Sequence, residues 1–215
     1  MISYRYKCIF VHIPKTGGTS IEDLVWPKSE DRIESNLCRG FVKPYCNKYQ
    51  TGGLQHLLGR QIKQEVGENI FNSFFKFTII RNPWEKAISQ FSYMKKRQDL
   101  RDWIGMSEDD CFKKYLSLIQ KKAHVQWEPQ YKFVFDEQGK QIVDFVGRLE
   151  NFENDAYKIL DKIGMRTKIL GIRVKKIPHN NKSNRLHYTE YYDAESKEII
   201  EDLYRQDIEV FNYSF

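Results

Sequence analysis

A lysine, two glycines and three hydroxyl residues come together near the start of the chain, in the segment PKTGGTS. Adjacent glycines let the backbone approach a ligand closely, because no Cβ atom stands in the way. A helix that begins at such a loop adds unpaired N–H groups and the positive end of its dipole, which together attract anions. The segment therefore predicts a cradle for a phosphate or a similar anion rather than a simple glycine turn. The candidate anion ligands are Lys15, Thr16, Gly17, Gly18, Thr19 and Ser20.

A second group with anion-binding chemistry follows a later apolar run, FFKFTII. Arg81 comes directly after that run, and its planar guanidinium suits a phosphate. Asn82 is a favourable N-cap residue and Pro83 suits the first helical position, so a helix should begin here. Ser89 would lie in the second turn of that helix and could reach the same anion. The plainer alternative is that Arg81 pairs with a surface carboxylate and Ser89 is only solvated.

The lysine position argues against an ordinary nucleoside triphosphatase. In a Walker A loop the lysine follows the second glycine, whereas Lys15 precedes both glycines. Asp136 ends the segment KFVFDE and resembles a Walker B aspartate, but QGK and another apolar run follow at once. That pattern is typical of a hairpin turn. A magnesium-dependent ATPase or GTPase is therefore disfavoured.

The elements that must position these residues alternate between apolar runs and helical patterns. Short strands buried on both faces are predicted at 6–12 and 74–80. YKFVF and QIVDFVGRL flank DEQGK, which predicts a hairpin or a close strand pair. Residues 27–53 show no periodicity and indicate a long surface excursion. Helices are predicted from about Ile21, at 59–68, from Pro83 to Met94, at 108–120 and 154–163, and from Ile199 to Phe211. Two strand–loop–helix units predict an α/β fold with a parallel sheet.

Composition limits the class of protein. The 215 residues are 40% hydrophobic and 30% charged, which predicts one soluble globular domain spanning residues 1–215. The net charge of +6 favours an anionic ligand, yet no arginine-rich tract points to nucleic acid. No apolar stretch is long enough to cross a bilayer, and the first apolar run is too short for a signal peptide. We therefore expect a cytoplasmic protein.

The cysteines give no sign of a metal site. Cys8, Cys38, Cys46 and Cys111 form no CxxC pair. Cys38 and Cys46 could pair in an oxidising compartment, but a cytoplasmic location predicts reduced thiols.

Both anion-binding segments resemble those of one family. FVHIPKTGGTS resembles the 5′-phosphosulfate loop of sulfotransferases, and RNPWEKAIS resembles their 3′-phosphate motif, RNPxxRxxS. The likeness is strongest to the carbohydrate sulfotransferases of the heparan and chondroitin type. It continues through VGRLENFENDAYKILDKIG and through the C-terminal block from His179 to Phe215. It covers nearly the whole chain, except residues 27–53 and 97–122.

The resemblance implies a P-loop-like three-layer sandwich with a central, mainly parallel sheet flanked by helices. It implies an enzyme that uses 3′-phosphoadenosine 5′-phosphosulfate (PAPS) as donor, releases 3′,5′-ADP (PAP) and needs no metal. The residues at 15–20 would hold the 5′-phosphosulfate, while Arg81 and Ser89 would hold the 3′-phosphate. Arg148, Lys182 and Ser183 fall in family segments that lie near the cofactor. Lys86 stands where the motif usually has arginine and is assigned no role.

Sulfuryl transfer also needs a base and a group that stabilises the leaving phosphate. Lys15 is predicted to neutralise the leaving oxygen. Histidine is the usual base near neutral pH, and the family often places it in the interval that contains His56. We therefore predict His56 as the base, with His124 or Glu128 in reserve. His12 belongs to the HIPK segment and is expected to order the loop.

The acceptor is less defined than the donor. The resemblance implies a sugar hydroxyl, although a small metabolite would also fit. Two groups of side chains could meet a glycan, but a solvated helix end and a core position are the plainer explanations for them. The groups are the basic cluster Lys95, Lys96, Arg97 and Arg101, and the aromatic residues Trp103, Trp127 and Tyr131. An ATP-dependent kinase-like protein, a binding module without turnover and a nucleic-acid binder remain alternatives.

Overall fold

The computed structural model describes residues 1–26, 54–165, 168–169, 172–173, 177 and 186–215. These residues fall into two compact units. The first unit comprises 1–80 and 132–182, and the second comprises 81–131 and 183–215. The single-domain prediction stays a prediction. Predictions that lie outside the described residues concern the excursion at 27–53 and Cys38, Cys46, His179, Lys182 and Ser183.

The elements follow one another in this order. The strands are β1 (Ile2–Ser3), β2 (Cys8–Phe10), β3 (Phe75–Ile80), β4 (Phe145–Arg148), β5 (Lys168–Ile169) and β6 (Ile172–Arg173). The helices before residue 120 are α1 (Gly18–Val25), α2 (Gly59–Val66), α3 (Glu68–Ser73), α4 (Pro83–Met94), α5 (Gln98–Ile104) and α6 (Phe112–Ile119). The later helices are α7 (Tyr131–Val134), α8 (Phe152–Lys162), α9 (Ala194–Leu203) and α10 (Arg205–Phe211). Short 3₁₀ turns lie at Val125–Trp127, Leu149–Asn151 and Tyr188–Tyr191. No described helix is long and apolar enough to cross a membrane.

A four-stranded sheet organises the first unit, in the order β1-β2-β3-β4. β2, β3 and β4 are parallel, and β1 adds an antiparallel edge that the sequence analysis missed. Strands β2 and β3 are almost wholly buried, as their continuous apolar runs predict. The α/β class with a mainly parallel sheet is therefore confirmed, and it is consistent with a three-layer sandwich.

The core of the first unit packs α1 and α8 with the sheet. Phe10 and Phe77 stack with ring centroids 5.2 Å apart, and Leu24 of α1 and Ile159 of α8 are buried in the same cluster. Burying each such side chain contributes about 1.5–3 kcal/mol. A continuous apolar core thus fixes the carboxyl ends of β2 and β4. The loop that carries Lys15 begins at the end of β2, and the Leu149–Asn151 turn begins at the end of β4.

The second unit opens with the predicted helix start. Asn82 is the N-cap of α4, and its side chain accepts hydrogen bonds from the backbone N–H groups of Trp84 (3.0 Å) and Glu85 (3.2 Å). Pro83 occupies the first turn. The apolar stripe of α4, which includes Ile88, is buried. The prediction for this segment is confirmed, because local capping chemistry and helical periodicity agree.

The predicted hairpin around residue 136 is wrong in its first half. Tyr131–Val134 forms α7 instead of a strand, and only a single bridge joins Phe135 to Gln141. The cause is not local, since the N–H of Tyr131 donates to the Asp207 carboxylate at 2.7 Å. Asp136 lies in the turn and accepts from the backbone N–H of Lys140, so it does not end a core strand.

Several boundaries also differ from the predictions. The predicted final helix is two helices, because the chain bends at Tyr204, whose backbone leaves helical geometry. The Tyr204 hydroxyl donates to the carbonyl of Trp127 at 2.9 Å, which stabilises the bend. The helix predicted for 108–120 begins later, at Phe112, and α3 and α5 were not predicted.

Candidate active site

The loop between β2 and α1 has an unusual backbone. Lys15 has a φ of 66°, in the left-handed region that residues other than glycine rarely adopt. Gly17 is the N-cap of α1 with a φ of 85°. A Cβ at Gly17 would lie 2.7 Å from Cδ1 of Leu149, in the turn that follows β4. The left-handed backbone therefore favours glycine at position 17, and a larger residue would also displace the end of the Leu149 side chain.

The hydroxyl residues of the loop differ in what they can offer a ligand. Thr16 is fully buried, and its hydroxyl donates to the carbonyl of Ile13 at 2.9 Å. That proton is used to fold the loop. Thr19 is exposed in the first turn of α1, whereas Ser20 is buried. Since Gly17 has no side chain to cap α1, the helix end and Thr19 remain the donors best placed for an anion.

Gly18 makes room for a histidine rather than for a ligand. A Cβ at Gly18 would lie 1.9 Å from Nε2 of His12, far inside van der Waals contact. His12 is buried and stacks on Phe10, with ring centroids 5.2 Å apart. The close packing of His12 against Gly18 thus supports the expected role of His12 in ordering the loop.

A buried carboxylate lies on the other side of His12. Nδ1 of His12 is 2.9 Å from Oε1 of Glu22, a close approach although out of line for a hydrogen bond. The Gln55 side chain donates to the same oxygen at 3.2 Å. Glu22 therefore joins α1 to the segment just before α2. Sequence reasoning missed it, because a single acidic residue in a helix gives no signal of its own.

His56 lies next to this group. Its ring contacts that of His12 edge to face, with centroids 4.6 Å apart and planes at 69°. The side chain is half-buried, and its backbone has a φ of 63°. The first unit thus brings the predicted base to the loop that carries Lys15. Both residues have left-handed backbones, a conformation whose energetic cost is often retained at functional sites.

The second unit holds both residues that are predicted to bind the 3′-phosphate. Nη2 of Arg81 lies 2.7 Å from Oε1 of Glu85, one turn along α4. Ser89 is a further turn along, on the same face, and is half-buried. Only 11% of the Arg81 side chain is exposed. A phosphate bound here would share the guanidinium with Glu85.

The backbone of Arg81 has a partner that the sequence did not suggest. Gln130 accepts from the Arg81 N–H at 2.8 Å and donates to the Arg81 carbonyl at 2.7 Å. Asp207 in turn accepts from the backbone N–H of Gln130 at 2.9 Å. These residues are far apart in the chain, so no local pattern could have found them.

Lys86 faces the core of the second unit. It is 1% exposed, its Nζ donates to the carbonyl of Glu128 at 3.3 Å, and it lies 5.2 Å from the centroid of the Tyr204 ring. Burial lowers its pKa from the ordinary 10.5 to about 8, although the Asp207 and Glu128 carboxylates oppose that change. The departure from the family motif at this position is thus part of a buried polar group.

The reserve base His124 has a structural task. It is 5% exposed between Trp103 and Trp127, with ring centroids at 5.0 and 4.9 Å. Its Nδ1 accepts from the backbone N–H of Gln126 at 3.1 Å, which caps the 3₁₀ turn. Glu128 is half-buried, and its carbonyl holds Lys86. His56 is therefore the better placed candidate.

A model of the sulfotransferase family matches residues 1–214. The chain belongs to the sulfotransferase family. This confirms the resemblance found in the sequence. Carbohydrate sulfotransferase 10 of Xenopus laevis is 24% identical over 262 residues, which cover 99% of this chain and 66% of that protein. A protein of Archaeoglobus fulgidus described as uncharacterized is 29% identical over 120 residues, or 56% of this chain and 92% of that protein. No solved structure matches the chain.

In this sulfotransferase, three of the residues considered for contact with a glycan have structural roles. Arg97 forms an ion pair with Asp99, and Arg101 donates to the carbonyl of Met94, so both hold the junction of α4 and α5. Trp127 is buried.

Arg148 ends β4, where its N–H donates to Asp155 at 2.9 Å. Within the described ranges, no three His, Cys, Asp or Glu residues are grouped so that they could hold a metal ion.

Proposed function

We propose that this sulfotransferase moves the sulfuryl group of PAPS to a hydroxyl of a carbohydrate acceptor. The observation that carries the proposal is the meeting of His56 with the Lys15 loop, through a ring contact to His12 at 4.6 Å. A base and an anion cradle in one compact unit are what transfer to a hydroxyl requires. The carbohydrate acceptor rests on the relative from Xenopus laevis, which is a carbohydrate sulfotransferase by name.

The residues present fit the donor. The left-handed backbone at Gly17 leaves the start of α1 without a side-chain cap, as an anion-binding helix end requires. Lys15 and Thr19 are at least partly exposed beside it. We propose that residues 15–20 bind the 5′-phosphosulfate and that Arg81 and Ser89 bind the 3′-phosphate. Arg148, Lys182 and Ser183 remain further candidates from the family segments.

The roles of the side chains follow from their chemistry. PAPS, when bound, supplies an activated sulfuryl group joined to a phosphate. The Lys15 ammonium would offset negative charge at the 5′-phosphate, and the N–H groups of the α1 first turn would share in this. His56 would take the proton of the acceptor hydroxyl on a ring nitrogen. His12, held between Gly18 and Glu22, would keep the His56 ring in place.

Thermal shift with nucleotides tests the donor site. PAP should raise the apparent melting temperature by mass action, whereas ADP and ATP should do so weakly, with or without magnesium. Arg81→Ala should abolish the PAP shift. Arg101→Ala is a matched control, because Arg101 is similarly buried at 14% exposure but holds a helix junction. A magnesium-dependent shift with ATP and none with PAP would refute the proposal and favour a kinase-like protein.

Turnover separates an enzyme from a binding module. Incubation with sulfur-35-labelled PAPS and a panel of oligosaccharides should transfer label to a sugar. PAP binding combined with no transfer to any hydroxyl acceptor, sugar or small metabolite, would favour a module that only binds sulfated or phosphorylated ligands.

A further inference from the structure

The peptide groups on both sides of Arg81 are held by one side chain. The Gln130 amide accepts from the Arg81 N–H at 2.8 Å and donates to the Arg81 carbonyl at 2.7 Å. Gln130 is fully buried, so these bonds do not compete with water. The two bonds fix the backbone where β3 ends and before Asn82 begins α4.

Gln130 is itself held by a buried carboxylate. Asp207 of α10 accepts from the Gln130 backbone N–H at 2.9 Å and lies 3.4 Å from the Gln130 side-chain nitrogen. Its other oxygen accepts from the Tyr131 N–H at 2.7 Å. Asp207 is fully buried. Its burial raises its pKa, while these N–H donors and the Lys86 cation oppose that rise.

We propose that Gln130 and Asp207, the Gln130–Asp207 clamp, are positioning residues that fix Arg81 for recognition of the 3′-phosphate. The inference rests on the proposed function, since it takes Arg81 as a phosphate ligand. The Arg81 guanidinium is anchored at one end by Glu85, at 2.7 Å. The Gln130–Asp207 clamp holds the other end of the Arg81 side chain, where it joins the backbone. Because the Arg81 side chain is held at its tip and at its backbone, it loses little conformational entropy when a phosphate binds. This raises the affinity for the phosphate.

The clamp is a polar arrangement that an isosteric change can disturb. In Gln130→Glu, one carboxylate oxygen still accepts from the Arg81 N–H, but the other faces the Arg81 carbonyl instead of donating to it. The new charge also faces the Asp207 carboxylate, with Lys86, Arg81, Glu85 and Glu128 as other charged groups nearby. The backbone of Arg81 should then shift, while the side chains that would bind the rest of the nucleotide stay in place.

The test compares two ligands that differ in the 3′-phosphate. Isothermal titration calorimetry gives the dissociation constants of PAP and of adenosine 5′-monophosphate, which lacks that group. Gln130→Glu should weaken PAP binding about 10-fold or more at pH 8 and change that of adenosine 5′-monophosphate by less than about 2-fold. Gln126→Glu is the matched control, since Gln126 is buried nearby but does not contact Arg81. It should change the ratio of the two constants little.

A second variant and a pH series test the Gln130–Asp207 clamp independently of the Gln130→Glu result at pH 8. Asp207→Asn turns an acceptor into a donor that faces backbone N–H groups, and it should lower PAP affinity in the same selective way. The loss in Gln130→Glu should shrink at pH 5, relative to wild type at the same pH, because a protonated carboxyl regains a donor. Equal weakening of both ligands, or of neither, would overturn the inference while the proposed function stands. Failure of the wild-type chain to bind PAP would overturn both.

Discussion

An alanine at position 18 should destabilise the protein only because His12 is present. The methyl group would lie 1.9 Å from Nε2 of His12, so the ring must retreat by about 1 Å merely to reach 3.0 Å. The ring is buried against Phe10 and faces Glu22, and it has little room to move. Overpacking of this kind costs about 1–3 kcal/mol. For a chain of 215 residues, that lowers the melting temperature by roughly 2–12 °C.

The sign of the effect should reverse when the histidine is removed. Gly18 begins α1 with an ordinary backbone, and alanine is a better helix former than glycine by up to about 1 kcal/mol. In a His12→Ala background, Gly18→Ala should therefore be neutral or stabilising. Urea denaturation of the four proteins in this double-mutant cycle should give a coupling energy of about 1–4 kcal/mol.

Gly67→Ala provides the control. An added methyl there meets nothing within 4 Å, but alanine at a φ of 85° and a ψ of 153° costs about 1–3 kcal/mol, because only glycine adopts that conformation readily. Its cost should be the same with and without His12. If Gly18→Ala has the same effect in both backgrounds, the packing argument is refuted.

Three further outcomes follow from the described residues. His56→Ala should slow turnover by about 10²–10⁴-fold and leave the affinity for PAP nearly unchanged, which steady-state kinetics and calorimetry can measure; unaltered turnover would remove His56 from the mechanism. His124→Asn should keep the cap on the 3₁₀ turn and leave turnover within about 2-fold, since asparagine also caps; a collapse of kcat in a folded variant would restore His124 as a base. Because the pKa of folded Lys86 lies near 8 and that of the unfolded chain near 10.5, the unfolded state binds more protons between these values, and stability should rise with pH there. Relative to Lys86→Met, the wild-type free energy of unfolding should rise by up to about 3 kcal/mol across that window, and a flat difference would contradict the lowered pKa.

Elements with local causes were predictable from the sequence. The start of α4 depends on the Asn82 side chain and on Pro83, both of which act within one turn. The buried strands β2 and β3 follow from continuous apolar runs. The turn between β2 and α1 follows from adjacent glycines at its end, since Gly17 takes the left-handed backbone there. In each case the residues that decide the structure are neighbours in the sequence.

Features with distant causes were not predictable. Tyr131–Val134 has the composition of a strand, but the carboxylate of Asp207, far along the chain, receives the N–H at its start. In the sequence, Lys86 occupies a charged position of the 3′-phosphate motif, yet in the structure it is buried against Tyr204. Periodicity contains no information on such pairs, because each partner is satisfied by a residue from another element.

The placement of His56 likewise combines a feature that the sequence could predict with one that it could not. Its chemistry and its interval in the family suggested a base, whereas its neighbours could not be read from the sequence. The contact with His12 depends on Gly18 leaving space and on Glu22 and Gln55 meeting between helices. The loop and the base were thus predicted separately, and the fold supplied the contact between them.

The long sequence separations within the Gln130–Asp207 clamp have a consequence for synthesis. Arg81 and Gln130 are 49 residues apart, and Gln130 and Asp207 are 77 apart. Both predicted anion-binding motifs leave the ribosome long before Asp207 does, because translation runs from the N-terminus. A nascent chain thus displays both of these motifs while the Arg81 backbone still lacks its final support. Contacts of such separation form late and slowly, so a prematurely terminated product would carry recognisable motifs without a completed clamp.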